Sequence, residues 1–323
     1  MLFQNRIFKI YDRILLKRRD WDGSMDYLSY RDFPGLVCKE SEFLGDKGQR
    51  LCAYVYYEGE KRRDKIVIFE HGMGVGHVAY MQEIAVICRH GYTVFTYDHT
   101  GTRCSEGKNI GGFAQSVSDL ERAVAHVRTL PDLKDARIIV IGHSWGGYST
   151  MNIPALCDDV DCVVAMSGYI SVKEIQAQAM GGMLRLYRRA VYKREVEAFP
   201  KYAHLDGRES LKNSSVRALI IHSRDDKTCS FKRHFLKLQS ALSDSENVSF
   251  LALDGKNHHP TYSDEAIKYR NEYDREKRKK RKAGLLDTEE ARISFAKNYD
   301  FERMSRQDSD VWRVIFDLID NPT

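Results

Sequence analysis

The 323-residue chain contains no uninterrupted apolar run near the ~18 residues that cross a bilayer. With a mean hydropathy of −0.50, that excludes a transmembrane helix. Proline is scarce, at six, and the 22 glycines follow no period, which excludes collagen-like and disordered composition. The seven cysteines are odd in number and form no C-x-x-C pair, so the expectation is reduced thiols rather than a disulfide framework or a zinc knuckle. No H-E-x-x-H occurs, and no phosphate-loop lysine follows a glycine run, so neither a metal nor an organic cofactor is expected. The N-terminal stretch mixes basic with apolar residues and lacks the apolar core and cleavage site of a secretory signal. The expected location is cytoplasmic. Charge is almost balanced, 51 basic against 46 acidic residues, a net +5.

What is present is an alternation of short β-rich runs with helical ones. LCAYVYY (51–57) and KIVIFE (65–70) come first, separated by a charged turn. A helix over 80–90, a strand over 93–97, a helix over 113–130 and the strand RIIVI (137–141) follow. A helix over 145–156 and a strand over 162–166 come next, then RALIIH (217–222), a helix over 231–242 and a strand over 248–253. Nearly continuous apolar strands imply a sheet covered by helices on both faces. The spacing therefore predicts an α/β fold with a mostly parallel sheet and an antiparallel start. Residues 168–215 interrupt the alternation with helix-forming sequence broken at Gly181-Gly182, and read as a helical cap between two late strands. The expected layout is an amphipathic arm over 1–30, a core over 31–167 and 216–323 with a charged helical insertion at about 265–306, and the cap over 168–215. In the arm, Phe3, Ile7, Ile10, Ile14 and Leu15 recur at helical spacing. Such a helix would dock on its own domain, on a partner subunit, or peripherally on an anionic membrane.

The chemistry centres on Gly142-His143-Ser144-Trp145-Gly146, a G-x-S-x-G directly after one strand and before a helix. That placement is the nucleophile elbow, a tight turn that projects the serine. A serine hydroxyl needs a base to take its proton. GKNHHP (255–260), after the last strand, supplies His258 or His259, with His258 favoured by the glycine three residues earlier. The imidazole needs a carboxylate to orient it, and SRDD (223–226) supplies Asp226, with Asp225 as the alternative. Oxyanion donors would be the Trp145 N–H and, from the loop HGMGVGH (71–77), the Met73 N–H. That loop lacks the third glycine of a dinucleotide site.

Together these motifs resemble the α/β-hydrolase superfamily, in particular the branch of monoglyceride-lipase-like esterases and S33 serine-aminopeptidase-type hydrolases. HGMG (71–74), GHSWGG (142–147), SRDD, GKNHHP, the segment RHGYTVFTYDHTGTRCSEG (89–107) and the insertion after VVAMSG carry the resemblance over roughly 40–265, together with the last helix near 308–320. It implies the α/β-hydrolase fold and a Ser144–Asp226–His258 triad cleaving a small-molecule carboxylic ester through an acyl-enzyme. A peptidase, amidase or thioesterase using the same triad is the alternative. A non-catalytic protein recruited through its basic segments is a third. The chain departs from the family at 98–105, where the usual D-x-R-G-x-G-x-S reads DHTGTRCS, and at Ser223, where glycine is usual.

Met180, Met183, Leu184, Leu186 and Tyr187 could line an acyl pocket or merely pack the cap. Arg185, Arg188 and Arg189 could meet a substrate anion, and Glu174, Glu195 or Glu197 a free amino terminus. The run 275–282 reads as a solvated helix face, with no aromatic interleaving that would suggest nucleic acid. Of the 51 basic residues seven fall in 275–282 and six in 1–19, leaving 38; each segment holds one acid, leaving 44 of 46. The body is therefore acidic and the positive balance sits on two appendages.

Overall fold

The computed structural model describes residues 8–321. Eight strands form one sheet: β1 (Leu36–Leu44), β2 (Arg50–Glu58), β3 (Lys65–Glu70), β4 (Thr93–Tyr97), β5 (Arg137–His143), β6 (Val160–Met166), β7 (Arg217–Ser223) and β8 (Val248–Leu253). Their order is β1-β2-β4-β3-β5-β6-β7-β8. β1, β2 and β4 pair antiparallel, and the rest pair parallel. This is the α/β-hydrolase fold. β1 is absent from the sequence reading. Its run LVCKESEFL buries only Leu36 and Phe43, so an edge strand carrying mostly polar residues gives little hydrophobic signal.

The central strands are mostly apolar because both faces are covered. One face packs under α2 (Gln115–Val127) and α7 (Phe235–Ala241), with Leu120, Val124 and Phe235 meeting Ile68, Val140 and Ile220. The other packs under α1 (Met81–Arg89) and α11 (Ser309–Asp320), where Ile84, Trp312 and Ile315 meet Phe69, Ile141 and Val164. α11 starts at Asp308, whose side chain accepts from the Asp310 and Val311 N–H groups, an N-cap that satisfies otherwise unpaired donors.

Between β6 and β7 lie α4 (Val172–Ala179), a 3₁₀ stretch at Gly182–Tyr187, α5 (Arg188–Ala198) and α6 (Gly207–Lys212). After β8 the chain forms α8 (Asp264–Lys282), α9 (Glu289–Ala296) and the short α10 (Phe301–Met304) before α11. α8 to α10 have their own small core, in which Tyr273, Phe295, Phe301 and Met304 close around Met25 from the N-terminal segment.

The N-terminal segment differs from the continuous helix expected over the first twenty residues. Phe3 and Ile7 lie outside the described residues. Helix persists only to Leu16, ending in a π turn at Asp12–Leu16. The backbone then extends, bridging Lys17 to Asn109 and Arg19 to Thr102. The Arg18 guanidinium donates to the Ser105 and Gly107 carbonyls at 2.9 and 2.8 Å. Backbone acceptors on the 98–109 loop thus outcompete further helical turns. Among the described residues no helix is long and apolar enough to cross a membrane, and all seven cysteines are free.

Candidate active site

Parallel pairing brings the chemically suggestive loops to one edge. β3 and β5 run in register, with Phe69 opposite Ile141 and Glu70 opposite Gly142, so the 71–74 loop emerges beside Ser144. β7 and β8 end at Ser223 and Leu253, delivering the 224–229 and 254–260 turns to the same edge. Ligand sites of open α/β sheets form at such carboxyl ends.

Ser144 sits between β5 and α3 (Trp145–Asn152) at φ 58 and ψ −110. A non-glycine residue there costs ~1–3 kcal/mol of strain and persists only where the surroundings enforce it. They do. A Cβ on Gly146 would strike the Glu70 carbonyl, and one on Gly142 would strike the Gly146 backbone. The Ser144 N–H is held by the Met166 carbonyl at 2.8 Å. The turn can close only with glycine at both positions, and closing it raises the serine hydroxyl above the sheet edge.

His258 Nε2 lies 2.9 Å from Ser144 Oγ, and His258 Nδ1 lies 2.7 Å from Asp226 Oδ2. A carboxylate can only accept, so Nδ1–H donates to Asp226 and Nε2 is left to accept from the serine hydroxyl. Asp226 is fixed through its other oxygen by the Thr228 and Cys229 N–H groups at 2.8 and 3.0 Å. Burial raises its pKa, but hydrogen bonds from His222 and His258 outweigh this and hold the carboxyl well below the usual carboxylate range. The two alternatives do other work. Asp225 accepts from the Ser223 hydroxyl and the Asn257 N–H, bracing the turn. His259 is stacked on Tyr262 and His143, and burial drives its pKa well below the usual value.

Three further residues have a part that the motifs did not reveal. His222 Nε2 is 3.2 Å from Asp226 Oδ2 and 2.8 Å from the Cys229 carbonyl; its place four residues before Asp226 at a strand end was a readable signal. His143 and Tyr80 form a chain of hydrogen bonds across the site. The His258 carbonyl can only accept, so His143 Nε2–H donates to it, at 2.6 Å. Burial pushes the His143 pKa down to about 3, so its Nδ1 is an acceptor and takes the Tyr80 hydroxyl at 2.8 Å. The Tyr80 oxygen in turn accepts from the Gly72 N–H at 2.9 Å. The loop carrying Met73, the elbow and the loop carrying His258 are thereby tied together. His143 stands inside the elbow motif, but nothing in the motif says what its ring should hold.

A cavity of 250 Å³ opens on Ser144 and His258. Its floor is core: Gly72, Met73, Gly74 and His143. Its wall comes from Met25 and Tyr27 of the N-terminal segment, and from Arg270 of α8 and Phe301 of α10. No residue of 168–215 lines it. Met183 and Leu186 are 86% and 76% exposed, and Arg188 donates to the Met180 and Ala177 carbonyls within its own segment. Nor do the three glutamates reach the cavity. Glu174 pairs with Arg233 and Lys237, Glu195 accepts from the Ala114 N–H, and Glu197 pairs with Lys193. Of the two readings for this segment, lining a pocket or packing the cap, the structure follows the second: its buried side chains pack on Phe113, Trp145 and Tyr148. A wider depression of 680 Å³ lies along Arg137, Val160 and Arg217, where strands β5 to β7 begin; its arginines are engaged by Asp159 and Asp161. Among the described residues no three His, Cys, Asp or Glu side chains converge as a metal-holding group.

Residues 61–229 match the family described as serine aminopeptidase, S33. No curated protein matches the sequence. Among solved structures the chain is similar to the esterase Pf2001 of Pyrococcus furiosus, with a TM-score of 0.59 at 19% identity over 80% of this chain and 95% of that one. It is similar to an acetyl xylan esterase from Paenibacillus sp. R4, with a TM-score of 0.57 at 15% identity over 80% and 88% of the two chains. An acylaminoacyl peptidase of Pyrococcus horikoshii aligns with a TM-score of 0.52 at 17% identity, over 69% of this chain and 38% of that one. At such identities the likeness is one of fold.

Proposed function

The chain belongs to the S33 serine aminopeptidase family and is a hydrolase of the α/β-hydrolase type, and from that premise we propose that it is a serine hydrolase cleaving carboxylic esters. The carrying observation is the hydrogen-bonded line Ser144–His258–Asp226 at 2.9 and 2.7 Å. In this reading His258 takes the Ser144 proton as Oγ attacks the carbonyl carbon, and Asp226 stabilises the imidazolium that results. The Met73 and Trp145 N–H groups receive the oxyanion. Trp145 opens α3, where the first N–H groups have no intrahelical acceptor, and Met73 lines the same cavity as Ser144. His258 then protonates the leaving alkoxide, and water releases the acid by the same steps in reverse.

The family description also supports a second reading, an aminopeptidase with the same triad. A free amino terminus would call for an anion beside the serine. The cavity wall presents Arg270 instead, which favours the ester. Turnover of 4-nitrophenyl butyrate against an aminoacyl 4-nitroanilide separates the two. Ser144→Ala is expected to lower kcat at least about 10⁴-fold and to abolish fluorophosphonate labelling; labelling that survives the substitution overturns the assignment.

A further inference from the structure

Arg270 is the one cationic side chain on the Ser144 cavity among the described residues. It comes from α8, within the charged insertion and outside the residues 61–229 that match the family. Two features fix its position. α8 is capped by Ser263, whose hydroxyl accepts from the Ala266 N–H. Just upstream, Lys256 Nζ donates to the Tyr262 carbonyl, Asp264 and Asp308 at 3.0, 2.6 and 2.7 Å, knotting the His258 loop to the starts of α8 and α11. The backbone that carries Arg270 is therefore anchored relative to the His258 loop, and its side chain is half-buried.

Among the described residues its guanidinium has no counter-ion. Among the described residues it makes neither a hydrogen bond nor an ion pair, and its Cζ lies 5.9 Å over the Tyr262 ring. The acids nearby do not neutralise it. Asp274, one turn along α8, shares a neighbouring cavity with it but forms no ion pair with it. Glu83 is buried, its pKa pushed up to about 8 by that burial, so it stands protonated at neutral pH. Asp225 lines that neighbouring cavity too, but accepts from the Ser223 hydroxyl and the Asn257 N–H rather than from Arg270. The remaining titratable groups around Arg270 are Tyr27, Tyr80, Tyr262, Tyr273, His143, His258, His259 and Lys277, and none of them supplies an anion. A guanidinium offers five donors in a fork matched to carboxylate geometry, and a half-buried one without partners is a poor default for a folded chain.

We infer that Arg270 receives a carboxylate of the substrate, so that the preferred substrates are small esters bearing a carboxylate on the acyl or the leaving side. The inference rests on the hydrolase reading above. The cavity volume of 250 Å³ suits such a molecule, since a water occupies about 30 Å³ of liquid and a small dicarboxylic monoester displaces only a few of them. No chemical step changes: Arg270 touches the non-reacting end and orients the carbonyl toward Ser144.

The test uses two matched pairs of esters with Ser144→Ala as blank. Mono(4-nitrophenyl) glutarate against 4-nitrophenyl butyrate probes a carboxylate on the acyl side. 4-Acetoxybenzoate against phenyl acetate probes one on the leaving side. In the wild type, kcat/KM is expected to favour the anionic member of at least one pair by about tenfold. Arg270→Gln should remove that ratio, chiefly through KM, and Arg270→Lys should restore part of it. A wild-type ratio near one in both pairs, or a ratio unchanged by Arg270→Gln, overturns the inference. Neutral esters that are turned over and lost in Ser144→Ala, with no anionic preference, sink this inference alone. Ester turnover that persists in Ser144→Ala sinks the hydrolase reading with it.

Discussion

Two inserted regions invite comparison. Residues 168–215 have the composition of a pocket-covering cap, rich in Met, Leu and Tyr, yet none of them lines the Ser144 cavity. The charged insertion at about 265–306, whose run 275–282 reads as a solvated helix face, supplies Arg270 and Phe301 to the wall of that cavity. The difference lies in where each insertion finds its apolar partners. Ile175, Val191 and Phe199 pack on Tyr11, Phe113 and Tyr148, which turns that segment toward the N-terminal arm. Tyr273, Phe295, Phe301 and Met304 gather on Met25, which leans the second segment over the site. Apolar content says that an insertion packs; only the matching surface says where.

The largest effect should come from unpacking the second wall. Tyr273 is 2% exposed and its hydroxyl donates to the Ser24 carbonyl at 2.5 Å. Tyr273→Ala should cost about 3–5 kcal/mol and depress kcat/KM as Phe301 and Arg270 lose their seat. Met183→Ala, in the 168–215 segment, should shift stability by less than about 0.5 kcal/mol and leave kcat/KM within about twofold. Urea melts and ester kinetics on both variants read the contrast directly. If Met183→Ala proves the more damaging to turnover, the comparison is inverted and the first insertion does reach the substrate.

A smaller effect should come from the floor. Tyr80→Phe cuts the hydrogen bonds that link the Gly72 N–H to His143 and so to the His258 carbonyl. It leaves a donor and an acceptor unpaired, costing about 1–3 kcal/mol. Loosening the Met73 loop against the His258 loop should lower kcat by about ten- to a hundredfold, while KM for a neutral ester moves little. A fall carried by KM would place Tyr80 with the wall rather than with the groups that hold the reacting geometry.

These contrasts follow what could be read in the chain. The parallel strands and the loops at their ends were legible because each strand is a short apolar run and each turn carries small or polar residues. Ser144, Asp226 and His258 could be named for the same reason, one at each of three strand ends. The wall was not legible. Met25, Arg270 and Phe301 are brought together from separations of more than 240 residues in sequence for the first two, by contacts that no local periodicity encodes. His143 was visible but mute, since its role depends on which carbonyl lies across from Nε2. β1 was hidden by its exposure, and the arm's helix was over-extended because its backbone finds better partners in the 98–109 loop.

The polar groups under the floor set the smallest prediction, a stability profile against pH. His71 and His143 lie beneath the site and His234 under the first insertion, and burial holds each at about 3, against ~6.5 in an unfolded chain. Their neutral forms stabilise the fold fully above pH ~6.5, and that contribution is lost as pH falls toward the folded values. Glu70 and Glu195 are pushed up to about 7 and Glu83 to about 8, each by burial first, from ~4.3 unfolded. Their protonated forms stabilise fully below pH ~4.3, and that contribution is lost as pH rises through 7 to 8. Between about 4.5 and 6.5 the unfolded chain therefore takes up three histidine protons while the folded chain retains three carboxyl protons, and these terms offset. Below that window these three carboxyls are protonated in both states, and the histidines are joined, as pH falls below ~4, by Asp226 and other carboxyls held low in the fold. Stability should rise as pH falls from about 8 to about 6.5, stay nearly level to pH ~4.5 and then fall steeply, each histidine contributing roughly 1.4 kcal/mol per pH unit. His143→Gln should flatten the acid limb by one proton, and His234→Gln by another, so the two regions contribute separable steps. A profile that falls evenly from pH 7 would mean that the buried carboxyls ionise in the folded protein, which removes the argument that Glu83 brings no charge to Arg270.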